Sequence, residues 1–451
     1  MTLSSRQIAL NVLLKLDFDT GVYISEVLDR QLKQSPVSSQ ERGLATELVY
    51  GVTRQKLLLD HLIEQATKRT TAQQSPVLLN ILRLGLYQLR FLSHIPVQAV
   101  VHSTVDLAKM NKLQRLSTVV NGVLRNYLRE QEKYEQTNST EVMGLPEDPK
   151  AKLSILYSFP LWIVDLWWQQ LGPEGCEKLL SWFNRTPHLD LRVNALKAER
   201  LQVQQALATV GIRSQALEGL PHGLRLVDSP GSIETLPGYR EGYWSIQDGA
   251  AQWAVIALAP QPGELILDLC AAPGGKTTYI AELIGDQGAV YAFDRHRARL
   301  RRLRENVERL GITTVSVQPA VDILMCTETF QADRILVDAP CSSLGTLHRH
   351  PDARWRKQSQ QLQQTAALQG QILEKATTGL KPGGLIVYST CTLNFQENEQ
   401  VVADFLEIHP DWQLEGLSAG PFLGQGQCTI WPHEWDLDGF YIARLRAPQT
   451  G

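Results

Sequence analysis

Cysteine is scarce in this chain. Six thiols, Cys176, Cys270, Cys326, Cys341, Cys391 and Cys428, are spread over 451 residues, and no two are spaced C-x-x-C. No histidine pair completes a zinc pattern, so no metal site is expected. So few thiols in so long a chain exclude a disulfide framework, and reduced thiols in a cytoplasm are expected. Long apolar runs are missing as well. No window approaches eighteen uncharged apolar residues, so no transmembrane helix is expected. The stretch MTLSSRQIALNVLLKL is amphipathic and carries no small-residue cleavage pattern, so no secretion signal is expected. Internal repeats and low-complexity tracts are absent. Charge of one sign is lacking overall, with a net charge of -3. Its distribution is uneven, because residues 1–130 hold 16 Lys and Arg against 10 Asp and Glu.

What is present divides the chain into distinct patterns. Hydrophobic residues at 43% suffice for ordinary buried cores, and the length suits two or three domains. Residues 1–132 repeat apolar side chains at three- and four-residue spacing, as in LATELVYGVTRQKLLLDHLIEQ, and an all-α bundle is expected. Pro36, Pro76 and Pro96 fall between the periodic stretches as breakers. Residues 133–150 are polar and read as a linker. Residues 151–245 open with the tryptophan-rich helical piece PLWIVDLWWQQLG, whose rings are expected to pack between domains. A small α+β subdomain follows, with LDLRVNAL as a strand. From 246 to 447, apolar strands at 264–269, 289–293, 314–318, 334–338 and 384–390 alternate with helices, and 439–445 is a closing strand. That is an α/β domain with a mostly parallel sheet covered on both faces.

In such a sheet, ligands bind at the carboxyl ends of the strands. DLCAAPGGKTT, Asp268 to Thr278, joins the first strand to the first helix there. It is not a phosphate loop, because Cys270 stands where glycine is required, and G-x-G-x-x-G is also absent. The second strand ends on Asp294, at a spacing that suits ribose hydroxyls. The pair points to an adenosine cofactor without a phosphate to grip, and S-adenosylmethionine meets that description. RILVDAPCSSLGT ends a strand on Asp338 and continues to Cys341, and GGLIVYSTCTL ends on Cys391. A single cysteine is more often a small core residue. Two thiols at strand ends above a cofactor loop suit a soft nucleophile that adds to C6 of a pyrimidine, making C5 reactive.

CAAPGGKT, DAPCS and YSTCTLNFQENE together resemble the signatures of the RNA cytosine-C5 methyltransferase family named for the Nop2 and Sun proteins. The resemblance implies a Rossmann-like class I methyltransferase domain and S-adenosylmethionine as cofactor. It implies Cys391 as the nucleophile, Cys341 in release of the methylated RNA, and Asp338 at the reactive end. Cys270, Ala271, Ala272, Pro273, Gly274, Gly275 and Lys276 would surround the cofactor, with Asp294 on the ribose and Asp322 near the adenine. ERGLATELVYGVTR and VVNGVLRN resemble the NusB-like RNA-binding domain fused to a bacterial branch of the family, which acts on 16S small-subunit ribosomal RNA. LRVN matches the family's small RNA-binding subdomain. Departures are Ser-Ser-Leu-Gly-Thr after Cys341, AVDI around Asp322, and Phe395–Gln396 where proline is frequent.

Two basic stretches suit RNA. DRHRARLRRLR offers Arg295 and Arg297 for phosphate contacts, and GTLHRHPDARWR offers Arg349, Arg354 and Arg356 for phosphate and base contacts around a flipped cytosine. The expected activity is therefore methylation of one cytosine of 16S ribosomal RNA at C5, through a cysteine–C6 adduct, by a monomer. The alternatives are the same chemistry on transfer RNA, and a non-catalytic RNA-binding ribosome assembly factor, which would need neither thiol.

Overall fold

The computed structural model describes residues 4–19, 21–136, 144–320, 327 and 329–449. The chain forms two compact units, Met1–Arg185 with Leu347–Lys357, and Thr186–Thr346 with Gln358–Gly451.

The first unit is helical: α1 (Ser5–Phe18), α2 (Ile24–Gln34), α3 (Ser39–Arg54), α4 (Lys56–Thr67), α5 (Pro76–Phe91), α6 (Val97–Met110), α7 (Ser117–Gln136), α8 (Pro149–Tyr157) and α9 (Leu161–Phe183). Several starts are written in the sequence. The hydroxyls of Ser4, Ser38 and Ser75 accept from the N–H groups of Gln7, Glu41 and Leu78, satisfying otherwise orphaned donors. Pro76 is the first residue of α5 and Pro96 precedes α6, so these breakers begin helices. The apolar stripes meet in one core around Leu10, Val49, Ile63, Leu82 and Leu124. α7 continues to Gln136, into the stretch expected as linker. Trp167 is fully buried inside this unit, with ring centroids 5.2 Å from Phe183 and 5.6 Å from Phe159, rather than packed between domains.

The second unit begins with β1 (Leu189–Val193), α10 (Arg200–Thr209), β2 (Ser214–Ala216), β3 (Gly223–Leu226) and β4 (Trp244–Ile246). These strands form an antiparallel sheet in the order β2-β3-β1-β4. Alternation gives β1 two characters. Leu191 and Val193 join the apolar core beneath α10, whereas Asp190 and Arg192 form buried polar contacts.

Then follow α11 (Gly249–Leu258), β5 (Leu265–Leu269), α12 (Gly275–Leu283), β6 (Ala289–Asp294), α13 (Arg297–Leu310), β7 (Val315–Pro319) and β8 (Ala332–Asp338). Residues 347–357, with the short α14 (Ala353–Arg356), belong to the helical unit. The chain returns with α15 (Gln360–Thr377), β9 (Leu380–Thr390), α16 (Glu399–Ile408), β10 (Gln413–Leu414), β11 (Gln427–Ile430), α17 (Pro432–Trp435) and β12 (Phe440–Arg446). The large sheet runs β10-β12-β9-β8-β5-β6-β7, with β11 also on β12. β5 to β9 are parallel to their neighbours, and β12 is antiparallel to β9. Both faces are covered, which is why these strands read as continuous apolar runs. Ile266 packs with Ala254 and Ile280, while Leu267 and Leu269 share the opposite core with Ile372 and Phe405. The architecture is an all-α region, a small α+β subdomain and a Rossmann-like α/β domain, as expected. Among the described residues, no helix is long and apolar enough to cross a membrane.

Candidate active site

The strand order reverses at β5, with β6 and β7 on one side and β8 and β9 on the other. Such a switch point opens a crevice at the carboxyl ends of the parallel strands. The motifs that follow β5, β6, β8 and β9 lie there.

The loop after β5 is shaped by backbone. Cys270, at φ 65°, and Gly274, at φ 99°, both occupy the left-handed region. A Cβ on Gly274 would lie 2.7 Å from Leu303 Cγ, so only glycine passes α13 this closely. No side chain caps the N-terminus of α12, which leaves its first-turn N–H groups available to a ligand. Asp294, buried at the end of β6, accepts from Ala272 N–H at 3.2 Å and His296 N–H at 2.7 Å. It therefore fixes the loop while standing at its edge. Asp322 lies outside the described residues.

Asp268 was not singled out by its sequence context. It is fully buried at the end of β5, and Thr277 donates to its Oδ2 at 2.6 Å. Its Oδ1 has no partner. Burial above all, with repulsion from Asp338, pushes the carboxyl up to about 7, against the pull of Thr277 and Lys276. A second buried network sets the start of α12. Arg192, fully buried, donates to Glu282 at 2.6 and 3.0 Å, to Gln247 at 2.5 Å, and to the Gly275 carbonyl at 2.5 Å. An arginine inside a strand-like run is the only sequence signal for it.

Lys276, in the first turn of α12, pairs with Asp338 at 2.7 Å. Ser389 Oγ donates to Asp338 at 3.2 Å. The Asp338 carboxylate outweighs burial and holds the Lys276 ammonium above its usual range. Beside this pair stand the two cysteines, with Cys341 Sγ 3.4 Å from Cys391 Sγ. The structure thus brings together two thiols that are fifty residues apart in sequence. The hydrogen bond from Cys341 lowers the Cys391 thiol; Ser343 and Lys276 add to this, against burial and Asp338. The same bond, then burial and the Cys391 charge, raise Cys341. Of the two thiols, Cys391 is therefore the more acidic.

The basic residues divide differently from expectation. Arg295 and Arg297 are exposed at the start of α13, beside the equally exposed Arg299, Arg301, Arg302 and Arg304. Arg354, expected on RNA, is instead fully buried in the helical unit. It donates to the carbonyls of Arg54, Ser158 and Phe183 and to Asn184 Oδ1, and lies 3.7 Å from the Phe159 ring centroid. Arg356 is paired with Asp352 at 2.8 Å and donates to the Val22 carbonyl. The cause is that four backbone and amide acceptors in a dry site bind a planar guanidinium well. Arg349 lies in the same segment, partly exposed.

Known proteins give a consistent picture. The family model described as 16S rRNA methyltransferase RsmB/F matches residues 255–446, the NusB family model residues 3–129, and the RsmF/B-like ferredoxin-like domain residues 159–234. The chain is 44% identical to a protein of Synechocystis named probable ribosomal RNA small subunit methyltransferase B, over 98% of this chain and 99% of that one. It is 37% identical to ribosomal RNA small subunit methyltransferase B of Vibrio cholerae, over 95% of this chain and 94% of that one. Among solved structures, the crystal structure of PH0851 matches with a TM-score of 0.79 and 27% identity, covering 99% of both chains.

Proposed function

Because the chain belongs to the family of 16S rRNA methyltransferases RsmB/F, we propose that it methylates C5 of a cytosine in 16S ribosomal RNA through a covalent bond from Cys391 to C6. The observation that carries this reading is the pair of cysteine sulfurs 3.4 Å apart beside the Lys276–Asp338 ion pair. Methylation of an exocyclic amine or a ribose oxygen needs no such pair, and an assembly factor needs none either.

The residues of the crevice suit S-adenosylmethionine. Asp294 would hold the ribose hydroxyls, and the uncapped start of α12 would take the carboxylate. The partnerless Oδ1 of Asp268 offers an acceptor where a cationic ligand would favour its ionised form. When bound, the cofactor supplies an electrophilic methyl group to C5.

The chain's own residues do the rest. Cys391 donates an electron pair to C6, and the C5–C6 double-bond electrons move toward C5. Asp338 accepts from the exocyclic amino group next to N3 and orients the ring. Bond formation at sulfur removes the Cys391 charge. Cys341 then loses both the hydrogen bond and the repulsion that kept its proton, and its thiol acidifies. Its own proton passes to water, and as a thiolate it takes the C5 proton, the C5–C6 double bond returns, and Cys391 leaves as a thiolate. The exposed arginines of α13, Arg295 and Arg297 among them, suit phosphate contacts. The names of the relatives and the NusB-like region favour ribosomal over transfer RNA.

Denaturing gels with labelled RNA test the division of roles. Cys341→Ala should accumulate an RNA adduct through Cys391, and Cys391→Ala should give neither adduct nor 5-methylcytosine. Methylation by Cys391→Ala would overturn the reading.

A further inference from the structure

The segment Phe395–Glu397 forms a short helical turn within the motif NFQENE, and its Glu397 takes no part in the chemistry above. It is nevertheless fully buried. Its carboxylate accepts from Ser342 N–H at 2.8 Å, from Ser342 Oγ, from Gln369 Nε2 at 3.2 Å and from Asn394 Nδ2 at 3.1 Å. Its own carbonyl accepts from Tyr388 Oη at 2.6 Å. All of these partners are neutral. A buried carboxylate without a cation is costly to keep and needs a dense set of donors.

The position of those donors is informative. Ser342 follows Cys341 directly, and Asn394 lies three residues beyond Cys391. The carboxylate therefore bridges the two cysteine loops. Smaller bonds run in the same direction. Ser342 Oγ and Thr392 Oγ1 are 2.7 Å apart, Leu344 N–H donates to Thr392 Oγ1 at 3.3 Å, and Gly345 N–H donates to the Cys391 carbonyl at 3.0 Å. Gly345 is forced to be small here, because a Cβ would lie 1.9 Å from the Gly439 carbonyl oxygen. Asn398 closes the other side by donating to the Thr392 carbonyl at 3.0 Å and accepting from Thr390 Oγ1 at 2.6 Å.

We propose that Glu397 is the positioning residue of the thiol pair: it clamps the Cys341 loop to the Cys391 loop and so sets the distance between the two sulfurs. The catalytic meaning of the clamp rests on the roles given above to Cys391 and Cys341; the clamp itself rests on geometry alone. The carboxylate's charge also helps to keep the proton on Cys341. Glutamine has the right size but the wrong donors. Its amide NH2 must face either Ser342 N–H and Gln369 Nε2, or Asn394 Nδ2, and one side of the clamp opens.

The test uses the full-length protein with Glu397→Gln and, as a gentler opening of the same clamp, Ser342→Ala. Diamide takes one hydrogen from each of two thiols to become a hydrazine, leaving a disulfide. The rate of Cys341–Cys391 crosslinking, read by peptide mass spectrometry, reports how often the sulfurs meet. It is expected to fall about tenfold in Glu397→Gln and by a smaller factor in Ser342→Ala, which keeps the backbone N–H bond. Crosslinking at the wild-type rate, with or without a lower melting temperature, would assign Glu397 to stability only and overturn the proposal. RNA adduct gels run in parallel with Cys341→Ala as control. If Cys341→Ala traps no adduct, the release role fails while the crosslinking rate still decides on Glu397. If Cys341→Ala traps adduct, Glu397→Gln is expected to trap it too, and its turnover without adduct at the wild-type rate would overturn the clamp.

Discussion

Two identical side chains receive opposite proton affinities here from their surroundings. The contact with Cys341 and the Lys276 ammonium lower the Cys391 thiol, while the same contact and burial raise Cys341. A lowered thiol pKa means that the thiolate persists to lower pH, and rate is lost only when pH falls below it. The acid limb of kcat/KM is therefore expected below the ordinary thiol range of about 8.5. Lys276→Met removes the ammonium and leaves Asp338 unpaired, and both changes disfavour the thiolate. The acid limb should move up, so that kcat/KM falls on the acidic side of the profile. An unmoved pH profile in Lys276→Met would contradict this role. Both cysteines and Asp338 were legible in the sequence, because each ends an apolar run. Asp268 and Glu397 were not. Their significance lies in a missing partner and in four converging donors, and neither is a property of local sequence.

At the level of elements, strand period decided most of what could be read. Runs buried on both faces announced β5, β6, β8 and β9 within a few residues. β10 and β11 have two and four residues at the sheet edge, too short for any periodicity. The alternation of β1 carries the less obvious information. It aims Leu191 at one core and Arg192 at the start of α12, where the Gly275 carbonyl is held. Removing one member of a fully buried ion pair strands the other charge. Arg192→Met is expected to cost about 3–5 kcal/mol, and Arg192→Met with Glu282→Gln should recover a large part of it. Chemical denaturation of the two variants measures the difference, and simple additivity would contradict the coupling.

On the scale of the whole molecule, the helical unit is not built from the N-terminal sequence alone. It takes residues 347–357, which stand only six residues beyond Cys341 in the chain. The sequence made Arg354 look like an RNA contact because arginine beside tryptophan and histidine suits nucleic acid. Burial, visible only in three dimensions, makes it a structural ligand of four acceptors. Two variants separate these functions. Arg354→Ala should lower stability by on the order of 3 kcal/mol while leaving the salt dependence of RNA binding unchanged. Arg297→Glu with Arg301→Glu, both exposed on α13, should keep the melting temperature and weaken RNA binding. Their slope of log affinity against log salt should fall by about 0.7–0.9 per lost phosphate contact. An unchanged slope in the α13 variant would remove that helix from the RNA interface.

The central claim is most directly tested by methyl transfer itself. Purified protein would be given tritiated S-adenosylmethionine with 16S ribosomal RNA or with a transfer RNA pool, each alongside Cys391→Ala. Label on the ribosomal RNA, mapped to one 5-methylcytosine and lost in Cys391→Ala, is the expected result. Label that persists without Cys391, or that appears on transfer RNA alone, would contradict it.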